Sequence, residues 1–396
     1  MKKIGIGIAS FSLAFSLLTP IVSAEEKQTP TFAENAKSAI LIERDTGTVL
    51  FEKNSDERLP PASLTKIMTM LLIMEAIDRN ELAYDDVVRT SEYAASMGGS
   101  QIFLEPGEEM TVSDMLKAIA IASANDASVA MAEHIAGTEE EFVRMMNEKA
   151  KELGLKNTHF TNSNGLPAEN HYTSARDLAI ISKELLKYED ITKFTSIYED
   201  YLRENTDKKF WLVNTNKLVR FYPGVDGLKT GYTRESLYGL AATAEKNGMR
   251  VIAVIMGAPT PKERNAQISK MLDYAFGKFE THKLYERDEV LTEVEINKGE
   301  KRSIPVVTSE SVSLLTKKGE SIDDVTEKIE IDERIQAPLK KGDVIGTLTI
   351  EKDGEVLVTT PLVAGEDVES ASWWQMFKRF FSKFANFGLV LSPCRN

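Results

Sequence analysis

Leu59-Pro60-Pro61-Ala62-Ser63-Leu64-Thr65-Lys66, followed by the apolar run through Met70 and Ile73 to Ile77, is the stretch on which the reading of this chain turns. Two prolines just ahead of a long apolar segment suit the start of a helix. Ser63 and Lys66 lie three residues apart, so a helix places hydroxyl and amine one turn apart on the same face. Beside Met70 and Ile73, loss of water disfavours the ammonium form of Lys66 and lowers its pKa. A partly neutral lysine can take a serine proton. By itself this spacing is common, and a helix start with a snorkelling lysine is the plain alternative.

Strand signals flank that helix. Upstream, Ile40-Leu41-Ile42, the turn Asp45-Thr46-Gly47 and Val49-Leu50-Phe51 read as a β-hairpin. Far downstream, Tyr238 to Thr243, Asn247-Gly248 and Val251 to Met256 read as a second one. Residues 113–157 between them carry a helical pattern, with stops at Gly137 and Gly154. Strands at both ends with helices between predict one mixed sheet covered by helices, ending near Phe279. From about residue 288 to 366 the pattern changes to turn-separated alternation, as in Val290, Thr292, Val294 and Ile296, which predicts a small all-β sandwich domain. The expected fold class is α+β.

The two ends read differently from the middle. Met1-Lys2-Lys3, apolar Ile4 to Leu18, then Val22 and Ala24 before Glu25-Glu26 make a signal peptide cut after Ala24. A retained membrane helix is the alternative, but the apolar run is short for about 30 Å of hydrocarbon. Export follows. At the other end, Trp373 to Phe384 sets aromatics on one helical face and Lys378, Arg379 and Lys383 on the other, a pattern that lies in a membrane interface. A helix docked on the protein's own core is the competing reading. The expected divisions are 1–24, 25–279, 280–368 and an anchor over 370–388.

The formal charge of −13 falls by two more units when Lys2 and Lys3 leave with the signal peptide. So acidic a chain is a poor partner for nucleic acid. Cys394 is the only cysteine, so no internal disulfide exists. His134, His159, His171 and His282 match no metal-ligand spacing, and neither a metal nor a cofactor is expected.

Two further motifs give Ser63 its context. Ser123-Ala124-Asn125 offers a hydroxyl and an amide, one able to relay a proton and the other to hold a substrate amide. Lys229-Thr230-Gly231 offers a cation and a hydroxyl for a carboxylate, with Gly231 expected to let substrate backbone approach closely. Each motif occurs once, in the order S-x-x-K, S-x-N, K-T-G.

With these three motifs the chain resembles the penicillin-recognising serine enzymes. Within them it is most similar to the low-molecular-mass penicillin-binding proteins that are D-alanyl-D-alanine carboxypeptidases, a group that includes sporulation-class members of Gram-positive bacteria. The resemblance covers nearly the whole mature chain, and the middle motif is Ser-Ala-Asn where Ser-Asp-Asn is common. It implies Ser63 as the acylated nucleophile, Lys66 as base, and Ser123 as the group that helps protonate the departing amine. It implies Asn125 positioning the peptide, Lys229 and Thr230 on the terminal carboxylate, and the N–H groups of Ser63 and Tyr232 as oxyanion donors. Arg264 is a further candidate for the carboxylate. Asn162 to Leu166 and His171 to Asp177 resemble segments bordering the site, with structural roles. The implied partners are stem peptides ending in D-Ala-D-Ala, β-lactams as covalent inhibitors and the membrane surface. A β-lactamase of class A would also need a water-activating carboxylate in E-x-x-x-N, which is missing between Asn125 and Lys229. A non-catalytic wall-binding scaffold is the third reading, and the intact motif residues argue against it.

Overall fold

The computed structural model describes residues 31–378. The predicted signal peptide, and the anchor beyond residue 378, lie outside the described residues. The chain begins with β1 (Ser38–Glu43) and β2 (Val49–Lys53), a 3-10 turn at Ala62–Thr65, and α1 (Lys66–Asp78). It continues through β3 (Val87–Arg89), α2 (Glu92–Ala95), β4 (Glu109–Thr111), α3 (Val112–Lys117), a π-helical turn at Ala118–Ala122, α4 (Asn125–Ala136) and α5 (Glu139–Glu152). Next come α6 (Ala175–Leu185), α7 (Thr192–Thr195), β5 (Glu199–Leu202), β6 (Phe210–Val213) and α8 (Leu218–Phe221). Then β7 (Val225–Thr233), β8 (Leu237–Lys246), β9 (Met249–Ala258) and α9 (Pro261–Lys278) complete the first unit.

The main sheet is antiparallel in the order β2-β1-β9-β8-β7. Successive strand side chains point to opposite faces, and both faces of this sheet are covered. Ile40 and Ile42 of β1, with Ile252 and Val254 of β9, enter a core shared with α1, α4 and α6. Ala39 and Leu41, with Ala253 and Ile255, enter a second core against α9. That explains why β1 and β9 read as continuous apolar runs rather than as alternation. The β8–β9 turn has Asn247 at φ +53° and Gly248 at φ +77°, the left-handed pair a tight hairpin turn requires. Helix α1 is buried from Lys66 to Ala76, so it is the central helix of its layer. Thr260 caps α9 by accepting from the Glu263 N–H, and Pro261 follows it in the first turn.

From α9 to residue 364 the elements are all strands: β10 (Phe279–Tyr285), β11 (Val290–Glu295), β12 (Ser303–Thr308), β13 (Val312–Lys317), β14 (Val325–Ile331), β15 (Val344–Lys352) and β16 (Glu355–Ala364). A β10–β13 ribbon and a five-stranded sheet β11-β12-β16-β15-β14 enclose a core of Ile304, Val306, Leu314, Leu348 and Leu362. This agrees with the α+β reading and its small all-β part. The two units touch through polar contacts: Ser313 donates to buried Asp45, Lys183 pairs with Glu310 at 3.1 Å, and Arg287 donates to the Lys187 carbonyl at 2.8 Å. Residues 373–378 are helical, with Trp373, Trp374 and Phe377 exposed.

Candidate active site

Ser63 lies in the 3-10 turn that precedes α1, half-buried, and Lys66 is the first residue of α1, fully buried. The residue before the nucleophile, Ala62, has φ +48°, a left-handed conformation that costs a non-glycine residue about 1–2 kcal/mol. Close packing holds it there. A Cβ on Gly165 would stand 1.9 Å from the Ala62 carbonyl oxygen, so only glycine fits where the 161–166 loop crosses the turn.

The Lys66 amine has three neighbours. It stands 3.3 Å from Ser63 Oγ, 2.6 Å from Asn125 Oδ1 and 2.5 Å from the Asn164 carbonyl oxygen. The last two can only accept. A neutral amine that gives its two hydrogens to them has its lone pair left for Ser63. Burial pushes the Lys66 pKa well below its usual 10.5, the charge of Lys229 pushes it further, and Asp126 opposes both.

Ser123 and Asn125 sit at a break between helices. The π-helical turn ends at Ser123, with φ +64°, and α4 starts at Asn125. The Asn125 amide donates to the Gly98 carbonyl at 2.7 Å, and its backbone N–H to the Ser100 carbonyl at 2.7 Å. The loop over the motif is held from below by Asp126, whose carboxylate accepts from the Ile102 and Leu104 N–H groups. Both ends of the Asn125 side chain are therefore engaged with Lys66 and Gly98. The Asn125 amide orients to Lys66 through its oxygen, and the second N–H of its NH2 group has donor capacity left for a substrate carbonyl. Among the described residues no hydrogen bond engages the Ser123 hydroxyl.

Lys229, Thr230 and Gly231 lie in β7, the edge strand of the main sheet. Lys229 is buried and, among the described residues, donates only to the Thr230 carbonyl, at 3.1 Å, leaving donor capacity unused. Its pKa is lowered to about 7, first by burial and then by Arg264. Thr230 Oγ1 donates to Thr215 Oγ1 at 2.8 Å. Arg264, on α9, engages Asn265 Oδ1 through Nε and Nη2, and burial lowers its pKa to about 10. Tyr232 is exposed and stacks on Tyr238, with ring centroids 4.3 Å apart.

Gly231 requires a correction. A Cβ there would meet the Pro61 carbonyl oxygen at 2.9 Å and Leu64 N at 3.2 Å, so glycine admits the nucleophile's own turn to the strand, not a substrate backbone. Gly239, opposite it on β8, meets Leu64 in the same way. The sequence reading missed Thr215 and Asp126, and it placed Asn162 to Leu166 at the border of the site without reading the Asn164 carbonyl as a Lys66 acceptor or Gly165 as the partner of Ala62. A backbone carbonyl carries no residue signal, and the glycine at 165 becomes informative only once its neighbour is known.

An antiparallel sheet between helical layers, with Ser63 and Lys66 at a helix start facing Asn125 and an edge-strand Lys229, defines a penicillin-recognising serine enzyme. A family model described as D-alanyl-D-alanine carboxypeptidase matches residues 23–260, and one described as the C-terminal domain of penicillin-binding protein 5 matches residues 279–370. The chain belongs to the D-alanyl-D-alanine carboxypeptidase family. It is 61% identical over 391 residues to the D-alanyl-D-alanine carboxypeptidase DacF of Bacillus subtilis, covering 98% of this chain and 100% of the relative. Penicillin-binding protein 5 of Haemophilus influenzae superposes with a TM-score of 0.65 at 34% identity, over 86% of this chain and 99% of that one. Penicillin-binding protein D2 of Listeria monocytogenes, solved with cefotaxime bound, superposes with a TM-score of 0.54 at 31% identity, over 62% and 99%.

Proposed function

We propose that this carboxypeptidase acts through Ser63, removing the terminal D-alanine of peptidoglycan stem peptides by way of an acyl-enzyme. The observation that carries the reading is the Lys66 amine, buried 3.3 Å from Ser63 Oγ with acceptors on its other two sides. Lys66 takes the Ser63 proton as Oγ attacks the carbonyl between the two D-alanines. Negative charge gathers on the carbonyl oxygen, facing the Ser63 and Tyr232 N–H groups. The intermediate collapses, the C–N bond breaks, and the proton passes by way of Ser123 to the leaving amine. Water then attacks the ester, giving a proton to the neutral Lys66, which returns it to Ser63 Oγ.

Lys229 and Arg264 are buried, and among the described residues no carboxylate pairs with either. Charge buried without its counterpart is costly, and a substrate carboxylate supplies what is missing. Thr230 completes the anion's contacts. Penicillin enters by the same acylation, and with no E-x-x-x-N carboxylate its ester clears slowly. The test follows free D-alanine from a disaccharide pentapeptide alongside fluorescent-penicillin labelling, for the wild type and Ser63→Ala. Labelling of the mutant, or no D-alanine from the wild type, overturns the reading.

Export and attachment to the outer face of the cytoplasmic membrane complete the proposal, with residues 25–279 as catalytic domain, 280–368 as a pedestal and 370–388 as anchor. Exposed Trp373, Trp374 and Phe377, with the Lys378 amine 5.8 Å from the Trp374 ring centroid, support an interfacial helix. No helix among the described residues is long and apolar enough to cross a membrane. Undiminished liposome binding by a chain truncated before Trp373 contradicts the anchor.

A further inference from the structure

A buried hydrogen-bond chain ends on the peptide that carries the nucleophile. The Thr161 N–H donates to His171 Nδ1 at 2.9 Å, and an amide N–H can only donate, so Nδ1 is the acceptor. The hydrogen of the neutral ring is then on Nε2, which stands 2.8 Å from Thr65 Oγ1. Thr65 Oγ1, accepting from the ring, donates its own hydrogen to the Ala62 carbonyl at 2.8 Å. Every donor in the chain points the same way, from the 161–166 loop to Ala62. Burial lowers the His171 pKa to about 4, with a smaller effect from His159, so the ring stays neutral at ordinary pH.

The peptide unit is planar and trans, so the Ala62 carbonyl and the Ser63 N–H belong to one rigid plate and point in opposite directions. Gripping the oxygen aims the N–H. Among the described residues no acceptor takes the Ser63 N–H, which stands at the helix start where such groups lack a partner of their own. Ala62 is also held at φ +48°, so the plate needs restraint to keep its orientation.

We propose that His171 and Thr65 are positioning residues that aim the Ser63 N–H at the developing oxyanion through the Ala62–Ser63 peptide. The proposal rests on Ser63 being the nucleophile. Neither side chain touches substrate, and the effect belongs to the transition state because the oxyanion forms only there.

The test compares the acylation rate constant with fluorescent penicillin, together with kcat and KM for D-alanine release, in Thr65→Val, Thr65→Ser, His171→Phe and His171→Gln. Loss of one oxyanion donor is worth about 10²–10³ in kcat, and a misaimed donor loses part of that. Thr65→Val, which keeps the shape but not the hydroxyl, is expected to acylate roughly 10–100-fold more slowly with KM within about twofold. Thr65→Ser and His171→Gln, each able to accept and donate in the same direction, restore most of the rate. Should His171→Phe fail to fold, Thr65→Val carries the test with its melting temperature recorded. Wild-type acylation by Thr65→Val, or a loss that falls in KM alone, overturns the proposal. Ser63→Ala separates the two failures: if it still labels, the nucleophile assignment is wrong, whereas a dead Ser63→Ala beside a fully active Thr65→Val condemns only the relay.

Discussion

The two units of the molecule bury polar groups in opposite ways. In the β-rich unit the buried polar side chains among the described residues are hydroxyls, Thr308, Ser311, Ser313 and Thr360, around an aliphatic core. The helix-covered unit buries whole charges. Some of these are matched, as where Lys149 meets Glu75 at 2.9 Å or Asp126 accepts backbone N–H groups. Lys66, Lys229 and Arg264 are not matched by any carboxylate among the described residues. A buried cation that stability alone would pair or replace is retained for what it does to a ligand or a proton. The difference between the units is therefore a map of function.

The strongest way to break this contrast is to remove one such cation. Lys66→Met is expected to lower acylation by about 10²–10⁴-fold, the range of a lost general base, while stability falls by only about 1–3 kcal/mol, from the Asn125 and Asn164 acceptors it leaves without a donor. A large fall in melting temperature would mean that Lys66 is structural. Next in size is a glycine pair. Gly165→Ala places a methyl against the Ala62 carbonyl and is expected to cut acylation at least tenfold, since a 1 Å misplacement of a reacting group can cost about 10²-fold. Gly354→Ala, at a β-rich turn with φ +81° and open space, costs only about 1 kcal/mol of stability and leaves acylation unchanged. Equal effects would erase the distinction between the units.

The pH profile tests the charges themselves. Lys66 must be neutral to act, so acylation rises with pH through its lowered pKa. Lys229 must be charged to attract a carboxylate, so kcat/KM falls as pH rises through about 7. A substrate whose terminal carboxylate is amidated should lose that alkaline limb, and its persistence would remove Lys229 from carboxylate binding. The smallest effect on turnover belongs to Leu348→Ala, buried in the β-rich core, which is expected to cost about 2–5 kcal/mol of stability with kcat unchanged.

Much of this arrangement was legible in the sequence because its signals are local. The β1–β2 and β8–β9 hairpins carry turn residues between apolar strands, and Ser63 and Lys66 share a helical face whatever packs around them. The β5–β6 hairpin escaped notice because its connection, Arg203 to Lys209, is polar and long and its strands are short. The Asn164 carbonyl and the Ser63 N–H are backbone atoms, so no residue type announces them. Gly231 was assigned the right freedom and the wrong neighbour, since what approaches a glycine depends on tertiary packing. His171 read as a border residue because its partner, Thr65, lies 106 positions away in the chain.

The most direct test of the central claim is peptide mapping after brief exposure to penicillin, for the wild type and for Lys66→Met. The account predicts one adduct, on the peptide containing Ser63, formed quickly in the wild type and barely at all without the Lys66 amine. An adduct on any other residue, or equal labelling of both proteins, would contradict it.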